Sequence, residues 1–407
     1  MNILLINHYA GSPKHGMEFR PYYLAREWVK AGHKVQIVGG SYSHIRAVQP
    51  VMDGHMLMHE YLDGIDYCWF FTPTYDGNGF GRVKSMLSFI WQIWRLARHI
   101  AESFKPDVVV ASSTYPMDIW PAKKIADIAS AKLIYEVHDL WPLSPMELGG
   151  MSRWHPFIMW VQLAEDYAYK SVNRVISMLP KTLDHMVAHG LTRDKWVYVP
   201  NGVDSNEWNT PVALPIDVQA SIDHIKIGGL PVLCYAGTHG LANALDILLS
   251  AAAMLKGKAQ VVLVGTGPER ERLLDRVTAE HLDNVTMLPS IPKAAMPTLL
   301  MQIDIAYIGL LPEPLFRFGI SPNKLFDYMM AGKPIVQSIS AGNDLVSEVG
   351  CGITVLPGDA AAVASAVNQL IQLNHSDLQR IGDLGKQYVM QKRTYSVLAE
   401  QFLAACR

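Results

Sequence analysis

Two glycine-bearing turns and one lysine carry the chemistry most readily read from this chain. GTHG (Gly237 to Gly240) follows the apolar run VLCYA, and GTGPER (Gly265 to Arg270) follows QVVLV. Glycine in such a turn lets the backbone approach a phosphate, and the helix starting behind it favours negative charge. Either turn alone reads equally well as a tight connection that binds nothing. Two in succession favour a ligand phosphate held by Gly237, Thr238, His239, Gly240, Gly265, Gly267 and Pro268. A third segment, FGISPNKLFDYMMAGKPIV (Phe318 to Val336), places Gly319, Ser321, Pro322 and Asn323 in a loop before a short helix ended by Gly332. Lys324, in its first turn, is opposed by the helix dipole, a conflict that a neighbouring anion resolves. Asp327, one turn later on the same face, can accept from vicinal ribose hydroxyls; the plain alternative is a surface Lys–Asp pair spaced i,i+3.

YEVHDLWPLSP (Tyr135 to Pro145) ends a strand with His138 and Asp139. A neutral imidazole there can donate to a sugar hydroxyl or to charge developing on a leaving group. The chain has 15 histidines and a lone one is usually structural, so position at a strand end is what singles out His138. Glu18 and Arg20, after the first strand, either meet an acceptor or form an exposed ion pair. No Asp-x-Asp occurs, and no cluster of His, Asp and Glu shows ligand spacing, so neither a metal nor a cofactor is expected.

The elements that must position these residues follow an alternation of short apolar runs and helical patterns, the mark of βαβ units with parallel sheets. Strands are expected at Ile3–Ile6, Val35–Gly40, Val108–Ser112, Lys132–Asp139, Arg174–Met178 and Trp196–Pro200. After a break they resume at Val232–Gly237, Gln260–Gly265, Val285–Leu288, Ile305–Leu310 and Pro334–Ser338. The length of 407 residues also calls for two domains. The expected organisation is an α/β fold of two doubly wound, Rossmann-like domains facing a central cleft, with ligands at the carboxyl ends of the strands. The first spans 1–202, a linker rich in Pro, Gly and polar residues 203–230, the second 231–385, and a C-terminal helix, 386–407, crosses back to the first domain. With 50% hydrophobic and 18% charged residues and a formal charge of −2, the chain is globular and no general nucleic-acid binder. Its 4 scattered cysteines read as core residues of a reducing compartment.

GTHGLANALD, VGTGPE, SPNKLFDYMMAGKP and PNGVD (Pro200 to Asp204) together resemble glycosyltransferase family 4, of GT-B fold, and are similar to the amino-sugar transferases of bacterial O-antigen and capsule assembly. The resemblance implies a metal-independent transferase acting with retention, the leaving phosphate itself taking the acceptor proton. The implied donor is a UDP-sugar, an N-acetylamino sugar, and the implied acceptor a lipid-linked glycan. The turn at Gly237 to Gly240 and Lys324 would hold the diphosphate, with Ser321 and Asn323 beside them, and Asp327 stands where the second glutamate of the family's Glu-x7-Glu motif meets the ribose. His138 would contact the donor sugar with Asp139 orienting nearby groups, and Gly11 to Gly16 would line the sugar and acceptor side. The chain departs from the family at Gly319, where the first glutamate of that motif belongs, and at His239 and Asn243, in a stretch where many members carry Arg and Lys. A donor-binding, non-catalytic partner subunit and a nucleotide-sugar 2-epimerase are the alternatives.

GRVKSMLSFIWQIWRLARHIAESF (Gly81 to Phe104) is a different feature. Arg82, Ser85, Ser88, Gln92, Arg95, His99 and Glu102 form one polar stripe on an otherwise apolar helix. It reads either as an interfacial helix on an anionic membrane or as a helix packed on two sides. The N-terminus MNILLINHYA lacks the charged region and cleavage site of a signal peptide, and no apolar run reaches the roughly 18 residues that span a bilayer. The expectation is a cytoplasmic protein, peripheral on the inner face of the membrane.

Overall fold

A computed structural model describes residues 1–17, 19–77 and 79–407. The chain divides into two units, Met1–Pro200 with Tyr395–Arg407, and Asn201–Thr394.

The first unit is built on β1 (Asn2–Ile6), β2 (Lys34–Gly40), β3 (Leu57–Leu62), β4 (Ile65–Phe70), β5 (Val108–Ala111), β6 (Lys132–Val137), β7 (Arg174–Ser177) and β8 (Trp196–Tyr198). They form one sheet in the order β3-β4-β2-β1-β5-β6-β7-β8, parallel except where β3 meets β4. The apolar runs become central strands because both faces are covered: Ile3, Leu5, Ile37, Val108 and Ile134 share one core with the helices Phe19–Lys30 and Tyr395–Cys406, and Leu4 and Val109, which alternate with them, are fully buried as well. The first of these helices ends at Gly32, whose φ of +85° lets the chain reverse into β2. The strand pair β3–β4 was not expected, although its turn is legible. Asp63 and Gly64 carry φ of 51° and 79° between the paired residues Leu62 and Ile65, the Asp-Gly signature of a two-residue hairpin.

The terminal helix Tyr395–Cys406 belongs to this unit. The Trp28 indole donates to the Ala399 carbonyl at 3.2 Å and its ring lies 5.0 Å from that of Phe402. The preceding helix, His375–Lys392, is part of the second unit.

The second unit holds β9 (Val232–Ala236), β10 (Gln260–Val264), β11 (Val285–Leu288), β12 (Ile305–Gly309), β13 (Ile335–Ser338) and β14 (Gly352–Val355) in the all-parallel order β11-β10-β9-β12-β13-β14. Residues 203–230, expected as a linker, fold into this unit instead. The helix Ile216–Ile227 buries Val218, Ile222 and Ile225 in the core beneath β9. Its weak periodicity hid it, because three apolar side chains on one face suffice to dock a short helix.

In each sheet the strand order reverses beside the strand that opens the fold, between β1 and β5 and between β9 and β12. Crevices at such switch points are where doubly wound sheets take ligands.

The helix Phe80–Phe104 buries Met86, Phe89, Ile93, Ala97 and Ile100 and exposes Lys84, Leu87, Trp91, Trp94, Arg95 and Arg98. The expected polar stripe is corrected here: Ser85 and Gln92 turn inward, where Gln92 donates to the Phe71 carbonyl at 2.7 Å, and two tryptophans face out. Among the described residues no helix is long and apolar enough to cross a membrane.

Candidate active site

At the switch point of the second unit, the turns after β9 and β10 are built into one another. A Cβ at Gly265 would overlap the Gly237 carbonyl oxygen, and one at Gly267 would overlap the His239 backbone. Gly237, Gly265 and Gly267 also carry φ of 151°, 148° and 157°, where L side chains rarely go. The His239 amide donates to the Thr266 carbonyl at 2.8 Å and the Glu269 amide to the His239 carbonyl at 3.0 Å. The His239 side chain is fully buried in this double turn, and neither ring nitrogen has a hydrogen-bond partner within the protein. Burial, with Arg270 and Lys324 adding to it, lowers its pKa and keeps the imidazole neutral.

Lys324 reaches the same place from the helix Asn323–Met330. Its Nζ donates to the Tyr235 hydroxyl at 2.8 Å and to Asn243 Oδ1 at 2.9 Å, and lies 3.0 Å from where a Cβ on Gly237 would stand. Burial without a carboxylate in these bonds brings the ammonium down to about 8. Gly240 and the exposed Thr238 complete the first turn, and Pro268 is an exposed member of the second.

Other expected donor contacts have different occupations. Asp327 has a protein partner: both its oxygens accept from Lys293 Nζ, at 2.9 and 2.7 Å, in a largely buried pair that fixes the helix to Lys293–Ala295. Ser321 accepts the Asn201 amide at 2.9 Å, and the Asn201 side chain donates to the Ser321 carbonyl at 2.8 Å, so PNGVD acts by pinning the loop that precedes Lys324. Asn323 is exposed at the start of that helix. Gly319, in place of a glutamate, has φ of +93°, a conformation that favours glycine.

In the first unit, His138 stands just past β6 with its Nε2 3.0 Å from Ser112 Oγ, which donates to Glu136 Oε2 at 2.6 Å. Glu136 is fully buried and paired with Arg20 at 2.8 Å, while Arg20 also donates to the carbonyls of Pro200 and Val199 at 2.5 and 2.8 Å. Burial raises the Glu136 carboxyl, but Arg20, His138 and Ser112 outweigh it and hold it at about 2. Arg20 is therefore corrected as well: it is neither exposed nor turned to an acceptor, but neutralises a carboxylate inside the sheet. Glu136, Ser112 and Asp118, whose Oδ2 accepts the Ser113 amide at 2.9 Å, were missed by sequence reasoning. The signal for Glu136 was present, a charge within the apolar strand KLIYEV, which needs a buried partner.

Gly16 lies on an exposed turn with φ of +77°, and Glu18 lies outside the described residues. Asp139 is exposed and lines a cavity of about 950 Å³ with Phe80, Arg82, Trp141, His155 and Phe157. The expectation that no His/Asp/Glu cluster has ligand spacing also fails: Glu165, His185 and His189 come together in this unit. They were missed because Glu165 lies on a different helix from the histidines.

Two successive parallel doubly wound units, the second with a phosphate-type double turn, define the GT-B fold. The model of Glycosyltransferase Family 4 matches residues 15–207 and that of Glycosyl transferases group 1 matches residues 230–373. Together they cover most of the chain, which belongs to glycosyltransferase family 4. Solved structures of the same fold include HepE from Anabaena in complex with UDP, 18% identical, with 99% of each chain covered and a TM-score of 0.70. Sucrose-phosphate synthase from Thermosynechococcus elongatus is 17% identical, with 99% of this chain and 97% of that one covered and a TM-score of 0.73. WaaG, a glycosyltransferase involved in lipopolysaccharide biosynthesis, is 14% identical, with 99% and 98% covered and a TM-score of 0.66. At these identities the likeness carries the fold. No curated protein matches the chain in sequence.

The buried pair gives a direct test. Arg20→Met leaves Glu136 charged and unpaired and costs about 3–5 kcal/mol of stability at pH 7. Adding Glu136→Gln removes the orphan charge, so the double variant unfolds at higher urea than the single one.

Proposed function

We propose that this glycosyltransferase takes a UDP-sugar, an N-acetylamino sugar, and transfers the sugar with retention to a lipid-linked glycan in bacterial surface polysaccharide synthesis. The observation that carries the donor side is Lys324, a half-buried ammonium bonded to neutral groups against two interlocked glycine turns. A diphosphate there meets a point charge and the helix N-terminus behind the turn. In UDP-bound HepE a relative of the same fold holds the nucleotide that this reading assigns to the present chain. Charge neutralisation by these groups leaves no task for a metal at the phosphates. In the first unit His138, its Nε2 held by Ser112 and Glu136, contacts a sugar hydroxyl through its other ring nitrogen, and the leaving phosphate takes the acceptor proton on the same face.

The acceptor reading rests on the cavity at the start of the helix Phe80–Phe104, where apolar Phe80, Trp141 and Phe157 surround Arg82. Along that helix Lys84, Leu87, Trp91, Arg95 and Arg98 recur every three or four residues on one exposed face, with Trp94 beside them. Arg95 lies 4.7 Å over the Trp91 ring, and Lys124 lies 4.5 Å over that of Trp94. Exposed indoles backed by cations suit the headgroup region of an anionic leaflet, each cation adding about 1 kcal/mol near the surface.

Four measurements test this. Lys324→Ala lowers kcat/KM for the donor by roughly 30- to 150-fold, the loss of a charge-assisted bond of about 2–3 kcal/mol. The lysine must be protonated to bind a diphosphate. With its pKa at about 8 in the free protein, donor kcat/KM therefore falls as pH rises through about 8, and Lys324→Arg removes that alkaline fall. Wild-type kinetics in Lys324→Ala would overturn the site.

Turnover at 25 °C persists in EDTA; loss restored by Mg²⁺ or Mn²⁺ contradicts the reading.

Replacing Trp91 and Trp94 with Ser leaves the melting temperature within a few degrees, because both are exposed, but abolishes sedimentation with anionic liposomes. Unchanged sedimentation counts against the membrane face.

A further inference from the structure

We propose that Glu165, His185 and His189 bind one divalent transition ion of the zinc class, at a site separate from the donor turns and concerned with stability rather than transfer. The histidines lie one turn apart at the end of the helix Leu183–Ala188 and so share a face, with ring centroids 4.5 Å apart. Glu165 approaches them from the middle of the helix Pro156–Ser171. One donor atom from each of the three lies within 4.8 Å of the others. His185 Nε2 and Glu165 Oε1 stand 3.5 Å apart, close to the edge of about 3.3 Å in a tetrahedron of zinc bonds 2.0–2.1 Å long. A small turn of the His189 side chain, which is partly exposed, closes the set.

The surroundings are those of a supported site. The Glu165 carboxylate is 1% exposed and is oriented by neutral donors, the Tyr169 hydroxyl at 2.8 Å and the Gln162 amide at 2.9 Å. A carboxylate removed from water needs a counter-charge or a metal. His189 Nδ1 lies 2.8 Å from Asp166 Oδ1, and Gln162 donates to that same oxygen at 2.7 Å. Carboxylates placed in this way fix the ring of a metal-bound histidine and raise its basicity. Two imidazoles and one carboxylate suit Zn²⁺, Co²⁺ or Ni²⁺ and disfavour Mg²⁺ and Ca²⁺, which take oxygen sets. An ion held by three side chains leaves a fourth position to water and ties the six-residue helix Leu183–Ala188 to its longer neighbour.

The test uses the full chain without a histidine tag, stripped by chelation and then titrated calorimetrically with Zn²⁺ alone. One ion binds per chain, and excess Zn²⁺ raises the melting temperature by about 5 °C or more when the ion stands at 100 times its Kd. Co²⁺ gives the intense visible bands of a four-coordinate ion, and Mg²⁺ gives neither effect. His189→Gln and His185→Gln, checked by circular dichroism, each abolish the bands and the thermal shift, while donor kcat/KM stays at the wild-type value. Absence of saturable Zn²⁺ binding, or binding that survives in folded His189→Gln, overturns the site; either result leaves the Lys324 reading untouched.

Discussion

The interlock of the two glycine turns in the second unit is the constraint on which the donor side depends. Because Gly265 and Gly267 lack a Cβ, the turn after β10 packs directly on the backbone of the turn after β9. The two helix-leading turns then form one polar surface, tied by the His239–Thr266 and Glu269–His239 hydrogen bonds. Burial of the His239 ring follows from that packing, and the missing Cβ of Gly237 leaves room for the Lys324 ammonium. The lysine is desolvated there yet bonded to Tyr235 and Asn243, groups that can yield to an anion without leaving a buried charge behind. On the proposed reading the site is prepared for negative charge before any arrives, and little reorganisation is needed when it does.

The first unit solves the opposite problem. Its central carboxylate, Glu136, is buried and must stay charged to accept from Ser112 and orient His138, so a cation is placed beside it. Arg20 meets the carboxylate and the carbonyls of Val199 and Pro200 together, which joins the first helix to β6 and to the end of β8. Arginine suits this role because its several donors occupy fixed directions and its charge persists in the interior. The same residues that position His138 therefore also hold the sheet together.

Much of this architecture was written in local pattern. Every strand expected from an apolar run is present, because strands buried on both faces must be apolar throughout. Glycines were legible where they open a turn after a strand, as at Gly237, Gly265 and Gly267, but not at Gly352 or Gly382, where a Cβ would equally overlap backbone. Lys324 stood out because a cation in the first turn of a helix needs a reason. The hairpin β3–β4 was equally available through Asp63-Gly64 and the apolar run Tyr67 to Phe70, although its edge strand β3 is only partly buried and makes no continuous apolar run.

Local pattern thus specifies the succession of elements and the turns where phosphate chemistry is feasible, since both depend on neighbours within a few positions. Which charges meet is settled by packing. Asp327 meets Lys293, 34 positions away, through both its oxygens, a pair that no local pattern announces. Arg20 read as a surface residue until Glu136, 116 positions away, drew it into the core. Glu165 likewise met His185 and His189 only when two helices packed. Ion pairs act through space at a few ångströms, and members as distant along the chain as Arg20 and Glu136, or Glu165 and the histidines, leave no periodic trace.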